Sequence, residues 1–156
     1  MIKICDSHCH LQDRKFSGDL ERTINSAKDR GVSCIIVPGW DRQSSIGAIE
    51  VAKKYEGVYA AVGIHPHDAK TYNEDAKREI SGYIKKEKVI AIGEIGLDYY
   101  RDLSPRDTQR EVFKKQLAIA EENNLPVIIH TRNSINEAIE IVKDFKVKGV
   151  FHAFEY

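Results

Sequence analysis

The 156-residue chain contains six histidines: His8, His10, His65, His67, His130 and His152. Each stands at or just past the C-terminal end of a short apolar run of strand type, and none falls in a helical stretch. His8 and His10 are two residues apart. In an extended segment such residues share a face, so both rings can reach one metal ion while Cys9 points the other way. Glu94, in Ile92-Gly93-Glu94-Ile95-Gly96, closes another apolar run and is the only acid there before Asp98. Imidazoles with a carboxylate suit Zn, Mn, Fe or Ni better than Ca or Mg. A carboxylate among imidazoles is a natural bridge between two cations. Two cations ~3.5–4 Å apart can activate a water and stabilise a displacement at phosphorus or carbon. A single histidine in an apolar run is ordinarily a packed or surface residue; six at strand ends point instead to one shared site.

The elements that must position these residues alternate. Strands are expected over 2–5, 34–37, 58–62, 89–92, 127–129 and 149–151. Helices are expected over 17–30, 41–55, 73–86, 104–124 and 134–145. Ser17 reads as the cap of the first helix, with Leu20, Ile24 and Ala27 inward. Ile46, Ile49 and Ala52 face inward on the second, and Ser104-Pro105 opens the fourth as cap and first residue. Cys5 and Cys34 read as small core residues of strands. The strands are apolar on both faces, as a helix-covered parallel sheet requires. Such repetition gives a closed barrel or an open doubly wound sheet. No Gly-x-Gly-x-x-Gly follows the first strand, which disfavours a dinucleotide-binding sheet. Ligands gathered at the C-terminal ends of strands match an α/β barrel. The expected fold class is therefore α/β, of TIM-barrel type, as a single domain over 1–156. That barrel needs about 250 residues, so about six of its eight strand–helix units are expected here.

Composition bounds the rest. Lys+Arg and Asp+Glu number 24 each, 42% of residues are hydrophobic and 31% charged, the profile of a soluble globular domain. Zero net charge disfavours a broad basic footprint for nucleic acid and leaves a local site open. No run approaches the ~18 apolar residues of a membrane span, and Met1 to Asp6 lack the layout of a secretion signal. Three cysteines, an odd number without framework spacing, fit a reducing compartment, so a cytoplasmic location is expected. Lys53-Lys54, Lys85-Lys86 and Lys114-Lys115 read as solvated helix faces. Trp40, after the second strand, either packs or lines the mouth of the site, where it would stack a base.

Four ordered words are more specific. Asp6-Ser7-His8-Cys9-His10-Leu11, Gly63-Ile64-His65-Pro66-His67, the run from Ile92 through Glu94 and Asp98 to Tyr100, and the run from Pro126 through His130 to Arg132 resemble the TatD family of deoxyribonucleases, within the metal-dependent hydrolase superfamily. Gln109, Phe113 and Gln116-Leu117 fit as well, and the resemblance spans essentially the whole chain. It implies hydrolysis of phosphodiester bonds in DNA, single-stranded or from a 3′ end, by a water activated between two divalent cations (Zn, Mn, Mg or Ni). It implies that His8 and His10 hold one cation, that Glu94 bridges to a second, and that His130 and His152 hold the second. Glu94 and His65 would carry the catalysis, with His65 near the phosphate. His67, Asp98, Tyr99 and Arg132 would lie on the substrate side, with His67 shaping the phosphate pocket or holding its loop. Arg101 and Arg132 could hold one strand end. The same metal pair can serve an amide, a lactone or a small phosphoester, and an inactive relative would share the words.

The chain departs from the family pattern at its end, where His152-Ala153-Phe154-Glu155-Tyr156 stands for the usual His-Cys-Phe-Ser-Gly. Two more strand–helix units, and the Asp that completes the first cation site, are expected beyond that point. Asp6 and Asp13 have no spacing that puts them in that role, and Glu155 reads as a solvated end. The expectation is a partial barrel with a weakened first site and low turnover, either a fragment of a longer protein or a chain that self-associates through the open edges of strands one and six.

Overall fold

A computed structural model describes residues 4–154. Six strands form one parallel sheet in the order of the sequence: β1 (Ile4–Asp6), β2 (Val32–Pro38), β3 (Val58–Val62), β4 (Val89–Asp98), β5 (Val127–Arg132) and β6 (Gly149–Phe151). Helices α1 (Leu20–Asp29), α2 (Arg42–Lys54), α3 (Glu74–Tyr83), α4 (Arg106–Glu122) and α5 (Ile135–Val142) connect or flank them. A sheet in which each strand pairs with the next, with its helices on the outside, is the wall of an α/β barrel, and here it forms a half-barrel. Its core is apolar from both layers: Val37, Val62, Ile64, Ile92, Ile95 and Leu97 from the sheet side meet Phe113 and Leu117 of α4. No helix among the described residues is long and apolar enough to cross a membrane.

Local chemistry sets several boundaries. Asp41 accepts the backbone N–H of Ser44, and the Ser44 hydroxyl accepts the N–H of Asp41, so a reciprocal cap starts α2 where the sequence places it. Asn73 caps α3 in one direction only, its side chain accepting the N–H of Ala76. Other expectations are corrected. Ser17 lies in a turn, and Asp19 holds the N-cap position of α1. Ser104 does not cap α4; its hydroxyl donates to the carbonyl of His67, and Pro105 stands at the N-cap. Ile46 is 40% exposed, because the buried face of α2 runs through Ser45, Ala48, Ile49 and Ala52. Cys5 is exposed and Cys34 only partly buried, since β1 is an edge strand paired with β2 alone among the described residues. Residues 2 and 3 of the expected first strand, and Glu155, lie outside the described residues.

β4 is the longest strand and passes well beyond the expected end at Ile92. Its pairing with β5 shifts between Ile92 and Ile95, then resumes as Gly96↔His130, Leu97↔Thr131 and Asp98↔Arg132. Gly93 and Glu94 occupy the irregularity, and the peptide between them is cis. Gly96 has φ +140°, and a Cβ there would lie 2.0 Å from the carbonyl oxygen of His130. Only glycine satisfies both conditions. The irregularity turns Glu94 into the half-barrel, where its N–H donates to the carbonyl of Gly39 at 2.7 Å.

Candidate metal centre

A cleft of about 630 Å³ opens at the C-terminal ends of the strands. His8, His10, His65, His67, His130, His152 and Glu94 all line it. The loop after β1 supplies the first two, the turn after β3 the next two, β4 and β5 give Glu94 and His130, and the residue after β6 is His152.

Glu94 is 4% exposed and sits at the centre. Its Oε1 faces His152 Nε2 at 2.7 Å, His130 Nδ1 at 3.0 Å and His65 Nε2 at 3.7 Å. Its Oε2 faces His8 Nε2 at 3.3 Å and His10 Nε2 at 3.6 Å. Burial pushes this carboxyl up, but hydrogen bonding by His130, His152 and His8 outweighs it and holds Glu94 well below the usual carboxylate range. Glu94 is therefore an anion with five imidazoles around it.

The two sides of Glu94 form separate donor trios. On the first, His10 Nδ1 lies 3.0 Å from the carbonyl of Pro38. A carbonyl only accepts, so that nitrogen carries the proton and Nε2 keeps a lone pair. This lone pair meets His8 Nε2 at 3.1 Å and the Glu94 carboxylate. A tetrahedral ion with ligands at about 2.1 Å sets its donors about 3.4 Å apart, and the trio is spaced at 3.1, 3.3 and 3.6 Å. On the second side, Glu94 Oε1, His130 Nδ1 and His152 Nε2 are spaced at 2.7, 3.0 and 3.4 Å. The rings of His8 and His152 stack at 3.7 Å between the trios.

His65 also approaches Glu94 and His130 closely enough for a shared ion, but its tautomer argues for another role. Its Nδ1 accepts the backbone N–H of His67 at 3.1 Å, which places the proton on Nε2, facing the cleft. Burial depresses its pKa to about 3, so the ring stays neutral. In this arrangement His65 presents an N–H, not a lone pair, to the cleft. Gln116 of α4 fixes its approach: the side-chain amide donates to the carbonyl of Ile64 at 3.0 Å and accepts its N–H at 2.8 Å.

The residues expected on the substrate side separate. His67 lines the cleft and also holds its loop, since its carbonyl accepts the Ser104 hydroxyl. Asp98 is 1% exposed and does not line the cleft; Oδ2 faces His67 Nε2 at 2.7 Å and His130 Nε2 at 3.1 Å. Burial pushes its carboxyl up, but the N–H of Arg101 and the rings of His67 and His130 bring it to about 2. Tyr99 donates its hydroxyl to Glu137 at 2.8 Å, outside the cleft, under the guanidinium of Arg106. Arg132 stacks on the Tyr100 ring at 3.9 Å. Arg101 does line the cleft, and so does Trp40, whose ring meets His10 edge to face at 5.0 Å. Sequence reasoning passed over Asp68, a half-buried cleft residue whose carboxyl is pushed up by burial. Its only sequence signal is its place directly after the Gly63–His67 word.

Comparison with known proteins gives the family. Residues 5–156 match the model of the TatD related DNase family. The uncharacterized metal-dependent hydrolase YabD of Bacillus subtilis is 43% identical over 152 residues, 96% of this chain and 60% of that protein. A protein named 3′-5′ ssDNA/RNA exonuclease TatD, from Pectobacterium carotovorum, is 35% identical over 88% of this chain and 53% of its own length. The crystal structure of YjjV, a TatD homologue from Escherichia coli, superposes with a TM-score of 0.91 at 31% identity, covering 98% of this chain and 61% of that one. The chain thus spans between half and two thirds of the length of these relatives. By its sequence and by its fold, the chain belongs to the TatD related DNase family.

Proposed function

We propose that the cleft is the two-cation centre of a metal-dependent hydrolase that cleaves phosphodiester bonds in single-stranded nucleic acid, DNA foremost, from the 3′ end. The observation that carries this reading is the division of Glu94: one oxygen faces His8 and His10, the other His130 and His152. His8, His10 and Glu94 would hold the first cation, and Glu94, His130 and His152 the second. Their donor types suit Zn, Mn or Ni better than Mg. The cations would supply Lewis acidity toward a phosphoryl oxygen and toward the attacking water.

The chain's own groups have distinct tasks. Glu94 stays ionised and keeps the imidazoles converged. His65 directs Nε2–H into the cleft and stabilises negative charge on a phosphoryl oxygen by a hydrogen bond, without giving up the proton. Arg101 offers a fork for a phosphate oxygen pair, and Trp40 a face for the terminal base. Asp98, Tyr99 and Arg132 act behind the cleft wall and hold the loop that carries Arg101. The name of the Pectobacterium relative supports the single-stranded substrate and the 3′ end. The balanced charge of 24 against 24 favours a second reading, a small phosphoester.

The test is cleavage of a 3′-overhang oligonucleotide, and of p-nitrophenyl phosphodiesters, with added Mn and then with chelator. Chelator-sensitive loss of 3′ nucleotides, abolished in Glu94→Gln, is the expected result. Hydrolysis of the small esters alone would transfer the assignment to the second reading. Cleavage indifferent to chelator and to Glu94→Gln would overturn both.

A further inference from the structure

Asp98 is buried beneath the cleft with every polar atom engaged. Its N–H donates to Gln109 Oε1 at 2.9 Å. Its Oδ1 accepts the N–H groups of Tyr100 at 3.0 Å and Arg101 at 2.8 Å. That leaves Oδ2 for two imidazoles, His67 Nε2 at 2.7 Å and His130 Nε2 at 3.1 Å. An ionised carboxylate only accepts, so both nitrogens carry protons. Both ring nitrogens of His130 therefore face ionised carboxylates, Nε2 toward Asp98 at 3.1 Å and Nδ1 toward Glu94 at 3.0 Å; a cation held with Glu94 and His152 would take the Nδ1 lone pair and leave the proton on Nε2, toward Asp98. His67 is fixed in the same tautomer at the cleft wall.

We propose that Asp98 is a positioning residue that sets the tautomers of His130 and His67 with a single oxygen and thereby couples the second cation site to the substrate-facing wall. The inference rests on the reading above that His130 holds a cation through Nδ1. A carboxylate behind a ligating imidazole fixes the ring and raises its basicity, and removing such a partner weakens metal affinity by about 10–100-fold. Here the carboxylate is shared. The two donors therefore compete for it, and substitutions of Asp98 and His67 should move the second site in opposite directions. A residue that merely stabilises the loop predicts no such opposition.

The test uses the full chain. Asp98→Asn keeps an oxygen for Tyr100 and Arg101 and turns the other position into a donor facing two donors. Zn or Co(II) titration by calorimetry should show second-site affinity falling by about 10–100-fold. The His8–His10 site, which does not touch Asp98, should hold its affinity. His67→Phe should tighten the second site. In the Zn-loaded protein, ¹⁵N imidazole shifts should report His130 as protonated at Nε2 with Nδ1 engaged, and Asp98→Asn should shift the Nε2 signal. If Asp98→Asn does not fold, His67→Phe and the wild-type tautomer decide. Unchanged second-site affinity in the variants, or an Nδ1–H tautomer at His130, would overturn the proposal. A protein that takes up no second cation would count against the metal-site reading and, with it, against the proposal.

Discussion

Trp40 is the chain's only tryptophan, and its backbone is pinned on both sides: its N–H donates to the Ser44 hydroxyl at 2.8 Å, and its carbonyl accepts the N–H of His65 at 2.8 Å. A cleft-wall ring held this way needs no rearrangement to receive a base. Its fluorescence should therefore be quenched by a short single-stranded oligonucleotide and not by an abasic one of equal length. Equal quenching by both would remove the stacking role. Tyr72 gives a prediction about stability. Its hydroxyl is buried with no partner among the described residues, and burial raises its pKa from 10.0 to about 12. A raised pKa means the folded state favours the protonated phenol. That preference is fully present below pH 10 and disappears as pH rises through about 12. Tyr72→Phe removes the orphaned oxygen, so it should be neutral or stabilising at neutral pH, by up to about 1 kcal/mol. It should also lose less stability between those alkaline pH values, as read from urea midpoints; destabilisation at neutral pH would contradict this account.

At the scale of the element, α4 and β4 do most of the positioning. Gln109 and Gln116 are seven residues apart, lie on one helical face, and are fully buried. Each clamps the backbone of a site segment, Gln109 at Asp98 and Gln116 at Ile64. Gly96 lets β4 lie against β5 at His130. Gly96→Ala should cost on the order of 3 kcal/mol or more, from the positive φ and the collision with the His130 carbonyl. Gly82→Ala, in α3 with nothing within 4 Å, should instead stabilise by about 0.5–1 kcal/mol. Denaturant midpoints of the two variants check both signs. These two elements also show what the sequence could reveal. The start of α2 was legible because Asp41 and Ser44 cap it locally. The convergence of the histidines was legible because their spacing follows strand ends. Ser104 was misread because its hydroxyl is claimed by His67, a contact with no local signal. The length of β4 was missed because Gly93 and Gly96 look like breakers, although their missing side chains are what the packing needs. Asp98 was placed with the substrate because only the packing of α4 and the His67 turn shows it buried behind the wall.

At the largest scale, β1 and β6 are the outer strands of the half-barrel sheet among the described residues. Among the described residues β1 pairs only with β2 and β6 only with β5. Ile4 is 49% exposed and Val150 45%. Open apolar edges promote association, so light scattering of this chain should give a mass that rises with concentration, and Val150→Lys should reduce the rise. A single-chain mass at every concentration would contradict it. The account as a whole depends on Glu94 serving two cations while His65 serves none. Native mass spectrometry after loading with Zn or Mn tests this most directly. Two cations per chain in the wild type and in His65→Gln, with both weakened in Glu94→Gln, is the result predicted. A cation lost with His65→Gln, or two retained with Glu94→Gln, would contradict it.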